Sequence, residues 1–350
     1  MPLRPVASPV RLSRSPSLNP TVLADISRLP ANLAGTAARD WLTTWSIARS
    51  MAARADVLHA LTEHGVVVTP LPDVVGVSAA LMEAAASWPT ALDGLMAAGD
   101  WRALPVADQL GDALTALLAT LATAPVEARL ARPDWTEQHW DRWRSVRTVV
   151  VGGGVVQGAL GAYLIDRASA RLQQAGVDLS ITRAPDAAGL GLRGAASLLR
   201  GTGVALDCGG TAIKRAPVSL SPDGQQVEPG APVPAPGRVG AQAVIDLVAD
   251  AVADLAPTGP VEVALAIATY VDRSGQPYAG QLGPYASLGE VHFREGLAEA
   301  IGRRVHARAS VTVIHAGAAA LLGARIDRPE ADAAIVLGTA IGCSLTPDFD

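Results

Sequence analysis

A short stretch, VALDCGGTAIKR at residues 204–215, combines residue types that could bind a phosphorylated ligand. An apolar run ends at Asp207, Gly209 and Gly210 follow, and a second apolar run leads to Lys214, so the pattern predicts two strands joined by a tight turn. Adjacent glycines let the backbone approach a ligand and take positive φ, so their amides can face phosphate oxygens. The alternative interpretation is an ordinary Gly-Gly hairpin turn that holds no ligand.

Three side chains beside this turn add chemistry to the phosphate-binding interpretation. Asp207 stands at the end of the first strand, and its carboxylate could hold Mg²⁺ or the waters around it, because hard cations prefer oxygen ligands. Thr211 supplies a hydroxyl, and Lys214 is the single lysine among 28 lysine and arginine residues. A lysine ammonium beside such a turn suits an anionic ligand.

Two further glycine turns follow apolar strands. One contains Gly152, Gly153 and Gly154, and it precedes a helix in a predicted β-α-β-α unit. Its position at the carboxyl end of the first strand is where α/β sheets bind ligands. The other turn, 338–342, follows the apolar strand 333–337.

Length, charge and cysteine content limit the classes of protein to which this chain could belong. The chain has 350 residues, enough for two lobes, and a net charge of −5, which makes nucleic acid an unexpected partner. Cys208 and Cys343 lie far apart without a Cys/His cluster, so neither a zinc site nor a disulfide framework is predicted, and this usage suits a reducing cytoplasm. No apolar stretch is long enough to span a bilayer, and the first residues do not read as a signal peptide, so the sequence predicts no membrane insertion.

Hydrophobic periodicity divides the chain. Residues 1–32 are predicted to be irregular, 33–145 helical, and 146 onward alternates strands and helices, so we expect an α/β protein. The interpretation gives helices over 74–86, 89–98, 106–122, 155–174, 187–199, 241–255, 290–301 and 316–324, and strands over 146–151, 177–181, 204–207, 211–220, 261–268, 310–313 and 333–337. Residues 221–240 are predicted to be loop or irregular hairpin.

The three glycine turns together resemble the ROK family of sugar kinases, which has the two-lobed actin/hexokinase-type, ribonuclease H-like ATPase fold. DCGGT at 207–211 is similar to that family's DIGGT loop, LGTAIG at 337–342 to its GTGIG loop, and VGGGV at 151–155 to its GGG turn. Further segments also line up with the family's pattern: IATYVDRSGQ at 267–276, HAGAAALLGA at 315–324 and AGLGLRGAA at 188–196.

The order of these segments differs from the family's order. Family members begin with the DIGGT loop and end with AGLxGAA, whereas here AGLGLRGAA precedes DCGGT, so the resemblance implies a circular permutation. Residues 1–200 then correspond to the family's C-terminal lobe, with a helical insert at 33–145 and an αβ part at 146–200. Residues 201–330 correspond to its N-terminal lobe, and 331–350 return to the first lobe. Chain termini that lie near each other at the surface tolerate such a rearrangement.

The resemblance implies ATP-dependent phosphoryl transfer to a hydroxyl of a sugar or polyol, with Mg²⁺ and without zinc. His315 stands where the family has the Asp that takes the proton from the acceptor, and an imidazole could serve as that base. Asp207 would direct Mg²⁺ through water. The residues implied to bind the nucleotide are Asp207, Gly209, Gly210, Thr211, Lys214, Gly338, Thr339, Gly342, Gly152, Gly153 and Gly154.

Two other functions remain open from the sequence. Loss of the family's Asp also fits a catalytically inactive protein that binds a nucleotide or metabolite. The run VVVGGGVVQG, followed by Asp178, also resembles the turn of a dinucleotide-binding oxidoreductase, although Gly158 lies one residue too far along for GxGxxG. A homodimer is possible.

Overall fold

The computed structural model describes residues 17–345 apart from 28, 73–78, 222–223, 256–258 and 282. This chain divides into two compact units. Gly189–Asp327 form what we call the first unit, and the rest, which comprises residues 17–188 and 328–345, forms the second unit. The predictions that fall on 1–16, 74–78 and 346–350 lie outside the described residues.

The α/β class predicted from the sequence is confirmed, since both helices and strands occur from residue 148 onward and helices separate most of the parallel strands. The helices are α1 (Arg39–Leu42), α2 (Thr44–Ala52), α3 (Ala55–Glu63), α4 (Ala79–Ala85), α5 (Trp88–Ala97), α6 (Leu104–Thr123), α7 (Val126–Leu130), α8 (Glu137–Ser145), α9 (Ala159–Gln174), α10 (Leu190–Ala196), α11 (Ala241–Ala253), α12 (Phe293–Val305) and α13 (Ala316–Asp327). The strands are β1 (Thr148–Gly152), β2 (Ser180–Arg183), β3 (Gly203–Cys208), β4 (Ala212–Ser221), β5 (Gly224–Val227), β6 (Val233–Pro234), β7 (Val261–Ile267), β8 (Ala309–His315), β9 (Ala333–Leu337) and β10 (Ile341–Leu345).

The first unit is a mixed sheet in the order β5-β4-β3-β7-β8, with β6 paired to β4. Strands β3, β4 and β5 are antiparallel neighbours, whereas β3, β7 and β8 run parallel. Side chains alternate across the sheet because a strand has a period of two. Leu206 faces a core with α11 and α12, while Ala205 faces the other core with α10. Both faces of β3 are therefore buried.

Small residues allow α10 and α13 to pack closely on one face of this sheet. A Cβ at Gly194 of α10 would overlap the carbonyl of Ala319 in α13, so only glycine fits there. Ala205, Ala264 and Ala266 supply small side chains beneath the two helices. Helix α10 thus packs within the first unit, although its residues fall in the predicted 1–200 lobe.

The second unit has a smaller sheet in the order β10-β9-β1-β2. An antiparallel β9-β10 hairpin lies beside the parallel strands β1 and β2. The first unit repeats this arrangement, since its β3-β4 hairpin lies beside the parallel strands β7 and β8. In the first unit the hairpin precedes the parallel strands along the chain, whereas in the second unit it follows them.

The helical segment of the second unit is anchored to its αβ part through α6 and α9. The buried carboxylate of Asp112 accepts from Arg167 Nε at 2.9 Å, and this hydrogen bond raises the pKa of the guanidinium. A Cβ at Gly111 would lie 2.7 Å from Arg167 Cδ, so the glycine lets the arginine lie across α6. None of the helices in the described part of the chain combines the length and apolar character that a membrane crossing needs.

Several predicted boundaries were wrong by a few residues. The strand predicted at 177–181 is β2, which begins at Ser180 because it pairs from there with β1, starting at Thr148. The helix predicted from 155 begins at Ala159, after a 3₁₀ turn over Gly154–Val156. Residues 221–240, predicted as loop or irregular hairpin, contain the short strands β5 and β6, which pair antiparallel with β4.

Candidate functional site

The turn between β3 and β4 is the predicted phosphate loop, and several hydrogen bonds fix its shape. The Gly209 amide donates to the Ala212 carbonyl at 3.0 Å, and the Gly209 carbonyl accepts from the Tyr285 hydroxyl at 2.9 Å. The prediction of positive φ was wrong for Gly209. A Cβ there would instead lie 3.2 Å from the Ala212 oxygen, a tight contact, so this close backbone approach favours glycine.

The tip of the turn is held through its carbonyl oxygens. The Thr211 carbonyl accepts from the Ala235 amide at 3.0 Å, beside the short pairing of β6 with β4. The hydrogen bonds that hold the turn therefore involve the Gly209 amide and the carbonyls of Gly209, Thr211 and Ala212. The amides of Gly210 and Thr211 take no part in them. These two donors stand at the tip, and the Thr211 side chain beside them is exposed to solvent. The arrangement suits an anionic ligand.

Asp207 and Lys214 are directly opposite each other on β3 and β4, as the hairpin pattern predicts. Lys214 Nζ lies 3.4 Å from Asp207 Oδ2, and their side chains are 39% and 13% exposed respectively. A Cβ at Gly191 would lie 2.9 Å from the Asp207 carboxylate, so α10 closes one side of this group. A positive and a negative group therefore stand side by side at the foot of the turn.

Tyr285 is a site residue that sequence reasoning missed. It is buried, and its hydroxyl donates to the Gly209 carbonyl. Burial raises the pKa of both the Cys208 thiol and the Tyr285 phenol, so both stay protonated at neutral pH. Tyr285 lies 76 residues from Gly209, and no local pattern connects them.

His315 lies at the carboxyl edge of the same sheet, at the junction of β8 and α13, as predicted. The register places Cys208, Ile267 and His315 in one row across β3, β7 and β8. The Tyr270 ring stacks on the imidazole at a centroid distance of 4.5 Å. Although part of His315 remains accessible to solvent, protein surrounds its ring, and this desolvation lowers the pKa of the imidazole to about 4.

Two polar groups, a backbone amide and a hydroxyl, also lie at the carboxyl edge of this sheet. The Gly317 amide, in the first turn of α13, donates to His315 Nδ1 at 3.2 Å. The Thr269 hydroxyl, which follows β7, is buried and has no hydrogen-bond partner among the described residues. A buried hydroxyl without a partner lowers the stability of the folded state unless water or a ligand forms a hydrogen bond with it.

In the second unit, the two other glycine turns lie against each other. Gly153 has a φ of +99°, a value that favours glycine, and a Cβ there would overlap the Leu337 carbonyl. Strands β1 and β9 are parallel neighbours, with Gly152 beside Val336, so both turns leave the same edge of the sheet. The predicted turns 152–154 and 338–342 are therefore adjacent.

The N-terminal helical segment holds the turn at 338–342. The Thr44 amide, at the start of α2, donates to the Gly338 carbonyl at 2.9 Å. The Asn19 side chain bonds both backbone groups of Ile341, through Oδ1 at 2.9 Å and Nδ2 at 3.2 Å. Thr339 and Gly342 keep partial exposure. The roles of Asn19 and Thr44 were not predicted, because both residues lie hundreds of positions before the turn.

The start of α9 opposes the oxidoreductase interpretation. In a dinucleotide-binding turn the pyrophosphate lies at the N-terminus of this helix. Here the Asp93 carboxylate from α5 accepts from the Leu160 amide at 2.7 Å. A Cβ at Gly158 would overlap that carboxylate, so the Asp93 side chain occupies the place that a pyrophosphate would take.

The described residues contain no group of three or more His, Cys, Asp or Glu side chains that could hold a metal ion. Magnesium in nucleotide sites is commonly held by one or two carboxylates, water and the phosphates themselves. The single carboxylate of Asp207 fits that kind of site.

Comparisons with known proteins do not establish a family. No protein-family model matches the sequence, and no curated protein matches it. Among solved structures, the chain is similar to inorganic polyphosphate/ATP-glucomannokinase from Arthrobacter sp. strain KM, with 22% identity and a TM-score of 0.25. This similarity covers 33% of the chain and 44% of the glucomannokinase, less than half of its length. At this TM-score the likeness supports neither a fold nor a function.

Proposed function

We propose that this protein binds ATP and transfers its terminal phosphoryl group to a hydroxyl of a sugar or polyol, as a circularly permuted ROK-type kinase. Support for the permutation comes from the two sheets. Each contains a hairpin with a glycine turn beside two parallel strands, but the hairpin comes first in one unit and last in the other. The proposal assigns residues 189–327, which include α10, to one lobe and the rest of the described chain to the other, so the predicted boundaries at 200 and 330 move to 188 and 327.

The observation that carries the proposal is the geometry of the β3-β4 turn. Backbone bonds and Tyr285 fix the turn, while the amides of Gly210 and Thr211 stand outside that bonding. Lys214 and Asp207 flank it within 3.4 Å of each other. A polyphosphate would take the place of the Asp207 carboxylate beside the Lys214 ammonium. It would also accept hydrogen bonds from the amides of Gly210 and Thr211.

Mg²⁺ would be held by Asp207, through water, together with phosphate oxygens. When bound, it would neutralise the charge that develops on the phosphates. Phosphoryl transfer needs positioning and charge neutralisation more than covalent chemistry from the protein. In this proposal the protein therefore contributes by binding the phosphates at the β3-β4 turn and by excluding water from the acceptor.

The proposal also keeps the two adjacent glycine turns of the second unit as nucleotide-binding residues. Gly338, Thr339 and Gly342 would bind phosphate, and the turn of Gly152, Gly153 and Gly154 would border the adenosine.

A second candidate is a nucleotide-binding protein without catalysis. The hydrogen bond from the Gly317 amide to His315 Nδ1 favours it, because that nitrogen is already used as an acceptor. Under this alternative the β3-β4 turn still binds ATP, but no acceptor is phosphorylated.

Calorimetric titration with Mg-ATP tests the binding step, and a screen of sugars and polyols for ADP release tests the transfer step. Lys214→Met should weaken Mg-ATP binding by about tenfold or more, since charge-assisted hydrogen bonds contribute about 1.5–3 kcal/mol. Arg303→Met is the matched control. It changes the net charge equally, but it removes only a surface pair with Glu299. Absence of Mg-ATP binding would refute both candidates, whereas binding without ADP release for any acceptor would leave the second.

The single lysine allows a chemical footprint of the same site. Acylation of amines, followed by mass spectrometry, should report Lys214 and the α-amino group alone. Saturating Mg-ATP should slow acylation of Lys214 severalfold, and the Lys214→Arg variant should give only the α-amino adduct. Unchanged labelling of Lys214 by a nucleotide-saturated protein would place the phosphates elsewhere.

A further inference from the structure

The hydrogen bond between the Gly317 amide and His315 restricts what the imidazole can do. Helix α13 begins at Ala316, so Gly317 lies in its first turn, where amides have no acceptor within the helix. His315 Nδ1 accepts from this amide at 3.2 Å. The imidazole therefore plays the role that Ser, Thr, Asp or Asn side chains commonly play at helix starts.

This bond selects one tautomer of the ring. A neutral imidazole has one nitrogen that donates and one that accepts. Because the Gly317 N–H points at Nδ1, a proton on Nδ1 would place two donors against each other, so the proton must be on Nε2. Stacking on Tyr270, with 22° between the ring planes, restrains the plane of the imidazole, while the bond from Gly317 determines which nitrogen faces the helix.

We propose that His315 presents Nε2–H as a hydrogen-bond donor to a ligand oxygen and does not act as the base that removes the acceptor's proton. This inference rests on the proposed function only for the identity of the ligand. His315 would then be a positioning residue that orients the acceptor oxygen. It differs in this from the base role that the resemblance implies for the position.

The chemistry does not require a base at this nitrogen. The acceptor oxygen forms a bond to the γ-phosphorus, and the bond from that phosphorus to the bridging oxygen breaks with its electron pair on the leaving ADP. The acceptor's proton goes to an oxygen of the transferred phosphoryl group and is lost to solvent when the product leaves. The transition state of such a transfer is loose, so correct placement of the oxygen matters more than its prior deprotonation.

Nuclear magnetic resonance of the full chain without nucleotide tests the tautomer directly. With ¹⁵N-labelled histidine, the six histidines give separate ring signals, and His315 is assigned as the set missing from His315→Asn or, if that variant fails to fold, from His315→Gln. Couplings to the two carbon-bound ring protons identify each nitrogen. We expect a protonated Nε2 and an unprotonated Nδ1 at pH 7. A proton on Nδ1, or on both nitrogens, would overturn the proposal.

A matched pair of variants separates donation to ligand from support of the helix. The Asn side chain in His315→Asn can still accept from the Gly317 amide but lacks the distal donor, whereas the longer amide of His315→Gln can reach the Nε2 position. If a phosphorylated acceptor has been found, His315→Asn should lose about tenfold in turnover, the effect of about 1.4 kcal/mol, and His315→Gln should lose less. A merely structural role predicts the reverse order.

The two tests also keep the proposals apart. The tautomer is measured without nucleotide or acceptor, so it can be confirmed in a protein that shows no kinase activity. Conversely, an active kinase with Nδ1 protonated would retain the proposed function and refute this inference.

Discussion

Lowering the pH should destabilise the first unit through His315, and replacing this histidine should remove the effect. The folded ring has a pKa lowered from 6.5 to about 4 by burial. Between these values the unfolded chain binds a proton that the folded chain does not, so the free energy of unfolding falls as the pH falls. The stabilisation is complete above about pH 6.5 and is progressively lost toward pH 4.

The size of the effect follows from the pKa difference. Each pKa unit corresponds to about 1.4 kcal/mol, so a shift from 6.5 to about 4 sets a ceiling of about 3 kcal/mol. Because His315 keeps some exposure to solvent, we expect a loss of about 1–2 kcal/mol between pH 7 and pH 4.5. His315→Asn is the appropriate reference. It can still accept from the Gly317 amide, but it cannot titrate.

The assay must report on the first unit alone. All seven tryptophans lie within residues 17–188, so their fluorescence reports on the second unit. Cys208 is fully buried in β3 of the first unit and becomes accessible on unfolding. Urea unfolding can therefore be followed by thiol labelling at each pH, with the Cys208 peptide quantified by mass spectrometry. Equal pH dependence in wild type and His315→Asn would refute the argument.

Three other substitutions test the packing of the candidate site. Tyr285→Phe leaves the Gly209 carbonyl without its hydroxyl partner, so urea unfolding should show a loss of about 1–3 kcal/mol, and calorimetry should show weaker Mg-ATP binding. Gly153→Ala places a Cβ against the Leu337 carbonyl at a φ of +99°, so the melting temperature should fall by several degrees; an unchanged value would contradict the close approach of the two turns. Asp93→Ala removes the acceptor at the start of α9, and tryptophan-detected unfolding should show a loss of about 1 kcal/mol, whereas binding of a dinucleotide by this variant or the wild type would reopen the oxidoreductase interpretation.

The β3-β4 hairpin could be predicted from the sequence because neighbouring residues determine it. The apolar run before Asp207 and the glycines after it predicted the β3-β4 hairpin, and its register places Asp207 opposite Lys214. The boundary of β2 could not be predicted in the same way. The strand begins where β1 offers a partner at Thr148, and that register is a tertiary property.

The residues that support the site were missed for a similar reason. Tyr285, Asn19 and Asp93 each bond a backbone group far away in the sequence, with separations of 76, 322 and 67 residues. Such bonds leave no periodicity to detect. Positive φ was expected at Gly209, whereas the structure favours glycine there through the nearby Ala212 carbonyl.

The most direct test of the account is a crystal structure of the full chain with Mg²⁺ and a non-hydrolysable ATP analogue. We expect the polyphosphate to accept hydrogen bonds from the amides of Gly210 and Thr211 and to lie beside Lys214. A nucleotide bound elsewhere, with the β3-β4 turn free of phosphate, would contradict it.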